Sequence, residues 1–252
     1  MSIFVKQHSI VRQIWGSSDT ILFIFAGASA EFALNKAVDW LYFTGKLPTD
    51  PLGRLFSTVT YARSIVFSST DDAHAAIDKI AAIHSSVEQN RGAKIPDWAY
   101  RDVLFMLIDY SIRSFEVLQR PLRKEEKEDV FNVFYRVGKR MGLQGLPHSY
   151  NSYVRMRKEH LQADLDAGLY TKNLFKQYKK HLGFFRYHLL IETQNLLVPK
   201  QVRKLLGFQR GSYLQPILAI YKVFRRVKLD WILKELLLPS DYKKQIQSLN
   251  HV

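Results

Sequence analysis

Residues 69–89 read STDDAHAAIDKIAAIHSSVEQ, and they predict a helix along almost their whole length. Ser69 and Thr70 suit an N-cap, because a hydroxyl there accepts from a backbone N–H that the first turn leaves unpaired. Asp71 and Asp72 follow, where the positive end of the helix dipole favours carboxylates. The interior is rich in alanine and has no glycine or proline. At about 100° per residue, Ala73, Ile77, Ile80 and Val87 all fall within about 60° of His84. A histidine therefore stands near the middle of an apolar stripe, where a leucine is expected. His74 lies about 80° away, so the two histidines form no clamp on one face. Two readings of His84 remain open. It is a core histidine bonded to a backbone carbonyl, as buried polar groups generally are. Or it is a single axial ligand to a flat cofactor, which needs one imidazole facing an apolar slot.

The same helical pattern runs outward in both directions. Residues 20–34 read as a buried helix, the opening stretch as another, and 52–67 as a third. Between them FTGKLPTDPLGR is a loop marked by Gly45, Pro48, Pro51 and Gly53. After the break NRGAKIP, a long apolar helix starts at Asp97. The segment LRKEEKEDVFNVFYRVGKRMG is amphipathic, acidic early and basic late, and Gly142 is placed to close it. A further helix is expected over about 148–165, with shorter ones beyond it. No segment sustains alternation of apolar and polar residues, so no sheet is expected. The reading is one all-α domain over 1–252, of about ten helices.

Composition narrows the chemistry. The chain has 252 residues, 47% hydrophobic and 13% aromatic, enough for a sizeable core. It has no cysteine, which excludes disulfides, thiolate metal sites and cysteine nucleophiles. No apolar run of signal-peptide length opens the chain, so a cytoplasmic location is expected. TILFIFAGASAEFAL is interrupted by Glu31 and is shorter than the roughly 20 residues of a membrane span. The net charge is +14, of which residues 151–252 carry +12 and residues 1–150 only +2. A basic C-terminal third suits an anionic membrane, nucleic acid or an acidic partner. In the tail, Lys222, Arg225, Arg226 and Lys228 interleave with aromatic and aliphatic residues, as in a helix resting on an anionic membrane surface or a core helix with a basic outer face. No helix-turn-helix or RNP-like pattern accompanies the charge, so no nucleic-acid role is expected.

Several signatures are absent, among them a glycine-rich phosphate loop and HExxH. His181 and His188 are seven apart and share a face if one helix spans them, yet no carboxylate at ligand spacing joins them. In GRLFSTVTY, Arg54, Thr58 and Tyr61 are spaced i, i+4, i+7 and share a face. That face is either a surface stripe or a set of donors aimed into a pocket, with Arg54 suited to a carboxylate and Thr58 to a polar atom.

The order of these features resembles the MpaB/latex-clearing-protein family of haem-dependent oxygenases. FAGASAEFAL matches its early apolar helix with small residues, and LPTDPLGRLFST matches its proline loop and Arg-x-x-x-Thr helix. IHSSV matches a histidine followed three residues on by valine. LIDYSIRSFE, RMGLQGLP, VPKQVRKLLGF and ELLLPSDY follow in the family's order, so that the resemblance spans roughly residues 15–245. It implies an all-helical fold with a pocket for one haem b in its core. It also implies His84 as the axial iron ligand, Arg54 and Thr58 as catalytic residues, and Arg54, Ser57 and Thr58 as haem-pocket residues. Rubber-cleaving members carry a lysine just before the threonine and an arginine three residues before the histidine. Ser57 and Ala81 stand there, so a different substrate is expected. By resemblance, dioxygen attacks a carbon–carbon double bond of a hydrophobic small molecule, an isoprenoid or another lipid, with peripheral contact to an anionic membrane. The alternatives are a haem carrier or gas sensor without turnover, and a non-enzymatic basic helical protein that docks on membrane.

Overall fold

Helix follows helix through the computed structural model, which describes residues 2–45, 49–208 and 211–226. Among them run α1 (Ile10–Trp15), α2 (Ser18–Phe32), α3 (Asp39–Phe43), α4 (Pro51–Val66), α5 (Thr70–Arg91), α6 (Asp97–Leu118), α7 (Lys124–Arg140), α8 (Tyr150–Ala163), α9 (Leu169–Leu197), α10 (Lys200–Leu206) and α11 (Leu214–Arg226). Extended pairing among the described residues is limited to two isolated bridges, Ile3 with Ser69 and Asn35 with Leu165. The all-α expectation holds. Residues 227–252, with Lys228 and the segment ELLLPSDY, lie outside the described residues, as does Pro48.

Local chemistry sets the helix ends. Ser69 caps α5 by accepting from the Asp72 N–H at 3.2 Å, and Gly92 closes it in the left-handed region at φ 68°. Asp50 caps α4 by accepting from the Gly53 N–H at 2.8 Å, with Pro51 at the first helical position. Pro96 precedes α6, which starts at Asp97 as expected. Of the opening stretch only α1 is helical, because Ser9 turns its hydroxyl to the Val11 N–H and starts the helix there. Met141 caps α7, and Gly142 follows at φ 77°.

α2 lies along α6 at the centre. Their approach is close at Gly27, where a Cβ would overlap the Tyr110 ring. α1, α4, α5, α7, α8 and α10 surround this pair in one apolar core, in which Trp15 is fully buried between Phe25 and Phe134. The first half of α9 packs on the end of α2 through Leu174 and Tyr178. α9 is broken at Gly183 (φ 71°, ψ 175°), a conformation open essentially to glycine alone. His181 and His188 therefore stand on different half-helices and do not share a face. Both are exposed, and His188 stacks on Phe184.

Candidate functional site

α5 explains where its histidine goes. Its apolar stripe is packed into the core at Ala73 and Ile77, which are fully buried. From Ile80 onward the same stripe leaves the core and becomes the wall of a cavity of about 1090 Å³. Ile80, Ile83, His84 and Val87 line it from α5, Thr58 and Tyr61 from α4, and Phe23 and Phe32 from α2. Leu107 of α6, Leu190 of α9 and Leu218 of α11 close the remaining sides. Phe43 (48% exposed), Ile83 (41%), Val103 (40%) and Ile217 (49%) all stand on this wall, so much of their uncovered apolar surface faces the cavity. Ligand pockets usually occupy roughly 300–1,000 Å³, so the cavity can take a group larger than a single small metabolite.

His84 is half-buried and its ring meets Tyr100 edge-on, with centroids 5.3 Å apart. Tyr100 is held in turn. Its hydroxyl donates to Glu88 Oε1 at 3.0 Å, and that oxygen also accepts from the Ile95 N–H at 2.9 Å. Burial, then the bond to Glu88, raises the Tyr100 pKa well above the usual phenol value, so it keeps its proton. The tyrosine is thus a fixed plate against which the imidazole rests.

Of the residues singled out in the sequence, Thr58, Tyr61, His84 and Val87 meet on one cavity. Ser57 is half-buried and is not on its wall. Arg54 lies in the first part of α4, one turn before Thr58, and its side chain is outside the described residues. The side chains of Arg225 and Arg226 are likewise outside.

A second polar cluster, which sequence reasoning missed, lies among α2, α6 and α8. Glu31 has no exposed surface and Arg157 is 5% exposed. The Arg157 guanidinium grips Glu31 through both Nη atoms, with Nη2 2.6 Å from Oε2. The same Nη2 donates to Asp109 Oδ2 at 3.0 Å, and Tyr110 donates its hydroxyl to Glu31 at 2.9 Å. His160 faces Asp102 with Nδ1 at 2.6 Å, and Glu31 with Nε2 at 3.3 Å. Asp164 Oδ2 also lies 3.2 Å from Nδ1, and carboxylates at both ring nitrogens favour the charged imidazolium, which donates from both. Burial opposes that charge, but the bonds to Asp102 and Glu31 outweigh it and raise the His160 pKa to about 9. Burial would also raise Glu31, yet Arg157 and then His160 hold it down to about 2. Burial dominates at Asp102, whose carboxyl is raised.

Asp102, His160 and Asp164 place one ligand atom each within 4.8 Å of one another, close enough together for a metal ion. The sequence signal was present but unread: Glu31 inside an apolar run, Asp102 and Asp109 seven apart on an apolar helix, and Arg157 and His160 three apart.

The helices define an all-α protein with a large, mostly apolar cavity among the described residues. Residues 15–227 match the family described as ER-bound oxygenase mpaB/B'/Rubber oxygenase, catalytic domain. The chain belongs to this family and carries an oxygenase catalytic domain, and the matched segment includes every helix that lines the cavity. No curated protein and no solved structure matches the chain.

Proposed function

We propose that this protein is a haem-b-dependent oxygenase that uses dioxygen to oxygenate or cleave an unsaturated apolar substrate, an isoprenoid or another lipid. The observation that carries the reading is one imidazole, His84, on the wall of a large and otherwise mainly apolar cavity that it shares with the Thr58 hydroxyl. These residues fit haem: one nitrogen ligand for iron, apolar surface for the macrocycle, and a hydroxyl donor nearby. When bound, haem iron supplies the activation of dioxygen.

The chain supplies position and exclusion. His84 would hold the iron through one ring nitrogen, and Tyr100, packed edge-on against it, would restrict the plane of its ring. Thr58 donates a hydrogen bond to a small polar ligand in the cavity. The family resemblance assigns Arg54, one turn away on α4, as the residue that would pair with a carboxylate of the prosthetic group. Ser57, in place of the lysine of rubber-cleaving members, is too short to serve as a second iron ligand. The apolar wall keeps water out and accepts a hydrocarbon chain.

The enzyme works in the cytoplasm, peripheral to the membrane where its substrates dissolve. In support stand the charge of +14, which suits the anionic cytoplasmic leaflet, and a family description that names an ER-bound oxygenase. Among the described residues no helix is long and apolar enough to cross a membrane.

The test is an absorption spectrum of protein expressed with ample haem, wild type beside His84→Ala. A strong Soret band in the wild type, lost or shifted in a variant that still melts cooperatively, supports the assignment. A wild type that stays colourless after hemin is added overturns it. A coloured protein that consumes no dioxygen with a panel of unsaturated lipids and isoprenoids retains the cofactor and loses the reaction.

A further inference from the structure

The break in α9 leaves a corner at which exposed basic and aromatic side chains adjoin. Residues 179–186 read KKHLGFFR. Lys179, Lys180 and His181 are exposed on one side of Gly183, and Phe184 and Phe185 are 77% and 64% exposed on the other. Two adjacent phenylalanines left in water at a bend held by a glycine-only conformation are costly unless something covers them. From Gly168 to Ile191 the chain has five Lys/Arg (Lys172, Lys176, Lys179, Lys180, Arg186) and no acidic residue. The corner also adjoins the cavity, because Leu182, Arg186, Leu189 and Leu190 line its wall.

We infer that this corner is the surface by which the protein docks on an anionic lipid bilayer. Phe184 and Phe185 enter the acyl boundary, and Lys179, Lys180 and Arg186 meet the headgroups. The inference deepens the reading above and rests on it for one consequence only: an apolar substrate passes from the bilayer along Leu182 and Arg186 into the cavity. Charge complementarity selects the lipid surface over a second copy of this chain, which is itself strongly basic. The two rings sit at the outer bend of a helix, where they can enter a bilayer, and not in a groove that a nucleic-acid strand would follow.

Vesicle co-sedimentation tests this with the full chain, using phosphatidylserine/phosphatidylcholine vesicles beside pure phosphatidylcholine. The comparison is wild type, Phe184→Ser/Phe185→Ser and Lys179→Glu/Lys180→Glu, each checked for an unchanged melting transition. The expected result is binding to the anionic vesicles that weakens as salt rises, and that falls by about tenfold or more in each double variant. Because the chain has no cysteine, Phe185→Cys gives a single site for an environment-sensitive fluorophore. Its emission should shift to the blue on the vesicles, whereas the same label at Glu125→Cys on α7 should not move. Absence of binding, equal binding by the Phe double variant, or a shift at 125 instead of 185 overturns the inference. So does a wild-type dimer, or an oligonucleotide complex, that the Phe variants abolish while vesicle binding persists. Binding is read without haem or turnover, so a colourless protein that still docks at the corner would remove the oxygenase reading and leave the docking surface standing.

Discussion

His84 and His160 each stand on the inward side of a helix, and their surroundings could hardly differ more. His84 is half-buried on the wall of an apolar cavity, resting edge-on against Tyr100. His160 is 3% exposed and lies among three carboxylates, Glu31, Asp102 and Asp164, with Arg157 close by. The second histidine is part of a closed set of charges that tie α2, α6 and α8 together beside the cavity. The first belongs to a mainly apolar surface on which a few polar groups, the imidazole and the Thr58 hydroxyl among them, line open space. The contrast separates a side chain that holds the fold from one to which the proposed function assigns the chemistry.

Stability should break along that line. Arg157→Met leaves Glu31 and Asp109 buried without their guanidinium, and breaking such a pair costs about 3–5 kcal/mol. A urea midpoint measurement should show a loss of that size, while His84→Ala costs about 1 kcal/mol or less and removes the haem spectrum. Equal costs for the two variants would erase the distinction drawn here.

The next effect is a pH profile. Glu31 is depressed from 4.5 to about 2 in the folded protein, so its contribution is full above 4.5 and is lost as pH falls toward 2. His160 is raised from 6.5 to about 9, so its contribution is full below 6.5 and is lost as pH rises through 9. Asp102, raised by burial, opposes the Glu31 trend and runs with that of His160, because its contribution too is lost as pH rises. Urea midpoints across pH should therefore peak between about 4.5 and 6.5 and decline on the alkaline side. In His160→Asn the alkaline decline should flatten. An unchanged decline would place its origin elsewhere.

Gly27→Ala tests the packing that joins the two regions, since the added Cβ overlaps the Tyr110 ring and must displace it from Glu31. Overpacking of this kind costs about 1–3 kcal/mol. The cost should shrink in a Tyr110→Phe background, which no longer has that hydrogen bond to lose. The smallest change in stability is expected for Thr58→Val at the cavity wall. Its melting temperature and Soret band should stay close to wild type. Turnover should fall about five- to tenfold, the equivalent of one hydrogen bond of about 1 kcal/mol. Full activity in that variant would remove Thr58 from the chemistry.

Much of this was legible before any coordinates. The start of α5 at Ser69 and the Asp97 start of α6 follow from capping and proline chemistry, which acts within a few residues, whereas the Asp50 cap of α4 went unread because Pro51 reads as part of the loop. His84 stood out because a polar ring interrupted an apolar stripe, and a wheel suffices to see that. The ion cluster could not be assembled in the same way. Glu31, Asp109 and Arg157 come from helices far apart in the chain, and each alone reads as an anomaly with no partner. The expectation for His181 and His188 depended on an unbroken helix, and a single glycine with positive φ removed it.

The sequence by itself determined that the chain is helical, where most of its helices begin, that no cysteine chemistry operates, and that one histidine sits on an apolar face. Those properties depend on neighbours within a turn or two and on composition. The tertiary structure alone decided that the stripe of α5 packs into core at Ile77 and opens onto a cavity at His84. It alone decided that Glu31 meets Arg157 and His160, and that α9 turns Phe184 and Phe185 outward. The reason is that whether an inward side chain meets another helix, an opposite charge or open space is set by how distant segments cross, and periodicity along one helix carries no information about that.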